Sequence, residues 1–173
     1  MSEDASVVHR LLNTLPQQGR VQWIGLSPGR REPLNVVDHA VIEVGTGLVG
    51  DRHAKSGRGK RQVTLIQAEH IDAIRSMAGL TALTPGELRR NVVVSGVNLL
   101  ALKGKTFRLG TALLEYTGPC DPCSRMEETM GPGGFNAMRG HGGITTRVLE
   151  AGEVRVGDSV VAVIGDSSVG KPE

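Results

Sequence analysis

The two cysteines of the chain stand three positions apart in one proline-framed stretch, GPCDPCSRM, residues 118 to 126. A pair so placed is compatible with four kinds of chemistry: half of a zinc site, a disulfide, a redox dithiol, or one working thiolate with a bystander. Structural zinc wants four ligands, usually completed by a second CxxC or a His pair. There is no second pair, and the five histidines (His9, His39, His53, His70, His141) stand singly. A thioredoxin-like dithiol belongs at the end of a strand in a βαβ unit, a context that the strand-rich pattern described below does not offer. The remaining reading concerns Cys123. If SRMEETM starts a helical turn, the thiol lies at its N-terminus, where unpaired backbone N–H groups and the dipole favour the anion, and Arg125 adds positive charge close by. Such a thiolate is a soft ligand for a transition metal and an acceptor or donor of sulfur. The competing reading is a buried cysteine that fills space. Proline and glycine framing argues against it, because turns mostly face solvent.

Two further stretches carry residue types suited to binding. TGLVGDRHAKSGRGKRQVTLI, residues 46 to 66, holds Arg52, His53, Lys55, Arg58, Lys60 and Arg61 between glycines and immediately before a strand. Such a loop can wrap an anion with backbone N–H groups and guanidinium forks. It lacks the spacing of a Walker loop, since Lys60 is followed by Arg61. A solvated charged loop is the alternative. GPGGFNAMRGHGGITTRVLEAGEVRVGD, residues 131 to 158, surrounds Arg139 and His141 with glycines that allow close backbone approach to a ligand. The alternation after them predicts an antiparallel hairpin turning at Ala151-Gly152.

The elements that must position these residues are mostly strands. At 173 residues the chain suits one domain large enough to bury a core without a crosslink. Its 24 glycines lie between short runs of Val, Ile and Leu, the texture of many short strands joined by tight turns. Runs at VQWIGLS, HAVIEV, RQVTLI, NVVVSG, TFRLG, ALLEYTG, ITTRVLEAG and SVVAVIG give eight strand candidates, which favours a barrel or folded sheet. Helical spacing of Val7, Val8, Leu11, Leu12 and Leu15 predicts a leader helix within residues 1–18. Residues 67 to 78 predict a second helix with Ile71, Ile74 and Met77 on one face, and Thr84-Pro85-Gly86-Glu87 reads as a capping box. The folded domain is expected over residues 19–165, with a flexible tail at 166–173.

Composition narrows the partners. A net charge of +2 does not suggest a general nucleic-acid binder, and two Phe, one Tyr and one Trp cannot supply a stacking platform for single strands. No run approaches the roughly 20 apolar residues of a membrane span, and the start of the chain has acids where a secretion signal would be basic. A cytoplasmic protein that binds a small anion, without membrane or nucleic acid, is the expectation.

Taken in order, GLVGDRHA, RQVTLI, PGELRRNVVVSGVNLLAL, GPCDPCSRM and RGHGGITTRVLEAGEVRVGD resemble the MOSC domain, named for the C-terminal domain of molybdenum cofactor sulfurases, from about Gly19 to Ile164. The resemblance implies a mainly β fold with short helices, a MOSC-type barrel like that of pyruvate kinase. It also implies a cysteine serving the molybdenum cofactor, as metal ligand in the amidoxime-reducing relatives or as sulfur carrier in the proposed sulfurase role. The working cysteine of the family precedes a short polar-basic stretch, which matches Cys123 between Pro122 and Ser124-Arg125 and leaves Cys120 as an accessory thiol. Molybdopterin is a pterin dithiolene with a terminal phosphate, so a host needs a soft ligand, cations and polar backbone. Cys123 suits the first. Arg52, His53, Lys60, Arg61, Arg89, Arg90 and Arg139 are candidates for the second, and Asn91 and the glycines near 140 to 143, with His141 among them, for the third. The aminotransferase-like domain of full-length sulfurases and the extra N-terminal β-rich domain of the amidoxime reducers have no counterpart here. A stand-alone form is therefore expected, taking electrons or sulfur from a donor protein. It would reduce N-hydroxylated small molecules such as hydroxylaminopurine-like bases, carry sulfur or cofactor without turnover, or simply bind a small anion.

Overall fold

The computed structural model describes residues 3–56 and 59–165. The chain opens with helix α1 (Glu3–Leu12), then strands β1 (Gly19–Leu26), β2 (Asn35–Val37), β3 (His39–Glu43) and β4 (Gly47–Leu48), and a 3-10 turn at Arg52–Ser56. Next come β5 (Val63–Gln67), α2 (Ala68–Met77), α3 (Pro85–Leu88) and β6 (Val92–Ser95), and a second 3-10 turn at Leu99–Leu102. The remainder is β7 (Thr106–Leu109), β8 (Ala112–Pro119), α4 (Ser124–Met130), α5 (Gly134–Met138), β9 (Ile144–Glu150), β10 (Gly152–Arg155) and β11 (Ser159–Val163). The expected tail at 166–173 lies outside the described residues.

The strands close on themselves. In the order β11-β7-β8-β9-β5-β6-β1, the last returns to the first through Gly19↔Val160 and Arg20↔Ser159, making a closed seven-stranded mixed barrel with β2 appended to β1. Among the described residues only β5 and β6 pair in parallel, with Leu65 opposite Val92, and a parallel pair requires a crossover. Helices α2 and α3 supply it. A separate sheet joins β10, β3 and β4. The eight strands expected from the sequence all form, and the MOSC-type barrel stands.

The hairpin expected at Ala151-Gly152 does not. β9 uses both of its edges, on β8 and on β5, so the strand that follows it crosses to β3, with Val154 opposite Ala40. Alternation across one turn cannot reveal that both neighbours are already taken.

Two layers of core explain why the run NVVVS is apolar without alternation. Val92 and Val94 point into the barrel, beside Val63, Leu65, Phe107, Leu114 and Ile144. Val93 and Ile66 point outward and are covered by Ile71 and Ile74 of α2, Met126 and Met130 of α4 and Met138 of α5. Both faces of this strand pair are therefore buried, and each such fully buried side chain contributes about 1.5–3 kcal/mol. Met77 departs from the expected helix face, since it is exposed at the end of α2. The capping box at α3 forms, with the Glu87 carboxylate accepting the Thr84 backbone N–H at 2.7 Å. In α1, Val7, Val8, Leu11 and Leu12 are exposed, and only Leu15 beyond it packs on the core.

Candidate functional site

From the end of β8 at Pro119 the chain runs extended into α4, and Cys123 is the residue just before that helix, with φ −121° and ψ 172°. Its carbonyl accepts the N–H of Met126 at 2.8 Å. Met126 and Met130, four residues apart, are buried under α4 and anchor it, while Cys123 stays exposed. Cys120 is the opposite. It is buried, its N–H donates to Gly143 O at 2.8 Å, and its Sγ accepts from Arg61 Nη2 at 3.2 Å. Both thiols are free, and no group of three or more His, Cys, Asp or Glu residues suited to a metal occurs among the described residues.

Cys123 forms part of the wall of a pocket of about 240 Å³, together with Ser27, Arg52, His53, Arg61, Arg89, Arg90, Asn91, Arg125 and Met126. The wall is built by segments flanking four strands: Ser27 follows β1, Arg61 precedes β5, Arg89 to Asn91 precede β6, and Cys123 to Met126 follow β8. A neighbouring concavity of about 420 Å³ shares Arg89 and Arg125 with it.

One buried carboxylate organises the floor. Asp51 accepts the Ser27 N–H at 2.7 Å and the Asn91 amide at 2.8 Å on one oxygen, and the His53 N–H at 2.9 Å and His53 Nδ1 at 2.8 Å on the other. Burial alone would raise its pKa, but the hydrogen bonds from His53 and Ser27 outweigh burial and hold it below the usual carboxylate range. Asn91 is fixed in turn, its Oδ1 accepting from the Thr64 N–H and hydroxyl at 3.1 and 3.0 Å.

The cations divide into those engaged by the protein and those left open. Arg90 is buried, and its Nε, Nη1 and Nη2 donate to the carbonyls of Gly142, Leu88 and Cys120 at 2.7, 2.9 and 2.9 Å. Its part is to hold the cysteine turn and the glycine-rich loop together. Arg89 sits at φ 57°, and its guanidinium donates to Glu32 O at 2.7 Å and Ser27 Oγ at 3.0 Å. Burial, then the nearby charges of Arg125 and Arg52, hold Arg89 below the ordinary guanidinium range. Arg61 is used on Cys120. That leaves Arg52, whose Nε is buried without a hydrogen-bond partner, and Arg125, which makes no hydrogen bond or ion pair among the described residues. A buried donor with no acceptor is costly, and a cluster of like charges beside it favours an anion.

Other expected site residues lie elsewhere. Lys60 forms part of a shallow depression with Glu115, Tyr116, Thr117 and Arg147. Arg139 is exposed, and the ring of His141 stands edge-on to that of His70 at 4.9 Å between centroids. Neither lines the cysteine pocket. Two of the glycines here are required by the chain itself: a Cβ on Gly142 would stand 2.2 Å from Cys120 O, and one on Gly143 1.9 Å from Leu65 O. Arg58 falls outside the described residues.

The sequence model of the MOSC domain matches residues 50–161. The chain belongs to the MOSC domain family. At family level the MOSC domain is associated with the molybdenum cofactor. Its fold is similar to the YuaD protein from Bacillus subtilis, at 21% identity and TM-score 0.73, covering 84% of this chain and 95% of that one. It is also similar to YiiM from Geobacillus stearothermophilus, at 19% identity and TM-score 0.66 over 84% of this chain and 75% of that one. YiiM from Escherichia coli aligns at 20% identity and TM-score 0.64 over 87% and 72%. No curated protein sequence matches. Within this MOSC domain, reading the sequence alone missed Ser27 and Asp51, and took Arg125 only as a charge beside the thiol. The signal for Asp51 was its place two residues before His53 in GDRH, a spacing that lets a carboxylate bond both the backbone and the ring of the later residue.

Proposed function

We propose that this MOSC protein binds the molybdenum cofactor in the Cys123 pocket and reduces N-hydroxylated small molecules, with electrons from a donor protein. The observation that carries the reading is the grouping in one cavity of an exposed thiol, a buried guanidinium N–H with no partner on Arg52, and the uncommitted Arg125. This donor set fits the cofactor: a soft sulfur for the metal, and two guanidinium groups for the terminal phosphate. When bound, the cofactor supplies a redox-active metal that passes electrons to the substrate. Arg52 and Arg125 would hold its phosphate, Cys123 its metal, and Arg90 keeps the turn bearing Cys123 in place. The adjoining cavity between Arg31, Thr84 and Arg125 offers room for the substrate.

A second reading has one observation in its favour. The exposed Cys123 is as accessible to a protein sulfur donor as to a metal, which suits a carrier of persulfide sulfur.

Metal analysis and pterin fluorescence on protein from a molybdenum-competent host separate the two. Retained molybdenum and pterin, lost in Cys123→Ala, support the reductase. A persulfide on Cys123 without metal supports the carrier, and neither product refutes both.

A further inference from the structure

We propose that His53, oriented by the buried Asp51, is the proton donor of the Cys123 pocket, a role that rests on the reductase reading above. The geometry fixes the tautomer. Asp51 is held ionised by the four hydrogen bonds it accepts, and an ionised carboxylate has only acceptors to offer. The ring nitrogen facing it at 2.8 Å, Nδ1, therefore carries a hydrogen, and the exchangeable position is Nε2. The ring is part of the pocket wall, and its side chain is 35% exposed, so it can exchange protons with water.

Elimination among the wall residues points the same way. The other charged or titratable groups lining the pocket are Arg52, Arg61, Arg89, Arg90, Arg125 and Cys123. Guanidinium groups do not give up protons in proteins, and on the reductase reading the thiol would hold the metal. Among the described residues no carboxylate lines the pocket, and the Asp51 side chain that bonds His53 is only 2% exposed. Among the lining residues, His53 is then the side chain left to pass a proton.

The reaction needs such a group. Reduction of R–NH–OH to R–NH2 and water consumes two electrons and two protons; the N–O bond breaks, and one N–H and one O–H bond form. The donor protein would supply the electrons, and the cofactor, when bound, the redox chemistry. Protonated His53 gives the Nε2 proton to the departing hydroxyl oxygen, stays neutral with Nδ1–H on Asp51, and regains a proton from water for the substrate nitrogen.

The test uses cofactor-loaded protein, a hydroxylamine-bearing purine and an electron donor. His53→Gln is expected to retain molybdenum and pterin at the wild-type level while kcat falls about 100-fold, within the range for loss of a general acid. Independently of activity, nitrogen-15 NMR of the imidazole in cofactor-free protein is expected to show hydrogen on Nδ1 of His53, and Asp51→Asn to shift the ring toward the other tautomer. An unchanged kcat in His53→Gln, loss of cofactor in that variant, or a bare Nδ1 in the wild type each overturn the assignment and leave the reductase reading standing. Wild-type protein that holds no cofactor overturns that reading, and this inference with it.

Discussion

The guanidinium of Arg90 donates to the carbonyl of Cys120 at 2.9 Å, so the cysteine turn hangs from a residue that lies just before β6. The same side chain reaches Gly142 and Leu88, joining three segments far apart in sequence. Hydrogen bonds to a charged group are worth more than neutral ones, and losing them leaves three carbonyls unsatisfied. Arg90→Ala is expected to cost about 3 kcal/mol or more. Lysine, a point donor, cannot span three carbonyls, so Arg90→Lys should recover little. Chemical denaturation midpoints check this, and an Arg90→Lys protein as stable as wild type would contradict the clamp.

The glycine-rich loop is tied to the same assembly. Gly143 has φ +86°, and its Cβ would collide with the backbone of β5, which cannot move aside. Gly143→Ala is expected to destabilise by about 3 kcal/mol, combining a strained conformation with a clash. Gly133, in the left-handed region at φ 90° and ψ −5° with open space around it, provides the comparison: Gly133→Ala should cost only about 1 kcal/mol. Equal losses at the two positions would show that conformation alone matters.

The two thiols differ in burial, and that difference is measurable. An alkylating reagent should modify native protein once, at Cys123, and reach Cys120 only after unfolding. Peptide mapping after brief exposure reads the outcome; modification of Cys120 in the folded protein would mean that the turn opens.

Much of this was legible in the sequence, and what was not has physical causes. Eight strands stood out because their apolar runs end at glycine or proline. β2 and β4, at three and two residues, are too short to show a period, and they exist only because a partner strand is present. Cys123 was legible because its flanking turn is local. The roles of the arginines were not. Arg89, Arg90, Arg52 and Arg125 look alike in sequence, yet burial and the carbonyls within reach decide which are internal clamps and which remain open.

Asp51 carries a pH dependence of stability. Its folded pKa lies below its ordinary value of 3.8 because His53 and Ser27 bond the ionised form more strongly than burial opposes it. A carboxylate so lowered stabilises the fold fully above that ordinary value, and the contribution falls away as pH drops below it toward the folded pKa. Asp51→Asn should therefore be less stable than wild type at neutral pH, with the gap narrowing in acid. Thermal unfolding from pH 7 down to about pH 3 checks this, and a gap that stays constant would remove the carboxylate charge from the account.

Anion binding offers the most direct check on which arginines are open. In cofactor-free protein, pyrophosphate is the probe, since it presents the phosphate oxygens without the pterin or the metal. Arg52 has a buried Nε awaiting an acceptor and Arg125 has no partner among the described residues, so each can engage an anion without first breaking an internal bond. Arg52→Ala and Arg125→Ala are each expected to weaken binding about tenfold, the effect of losing roughly 1.4 kcal/mol of charge-assisted hydrogen bonding. Lys60 and Arg139 stand outside the pocket, and alanine at either should leave the affinity within about twofold, because exposed charges at a distance are screened by salt. Calorimetric titration at two ionic strengths ranks the four variants. If Arg139→Ala were to match Arg52→Ala, the anion would be bound at the glycine-rich loop instead of beside Cys123.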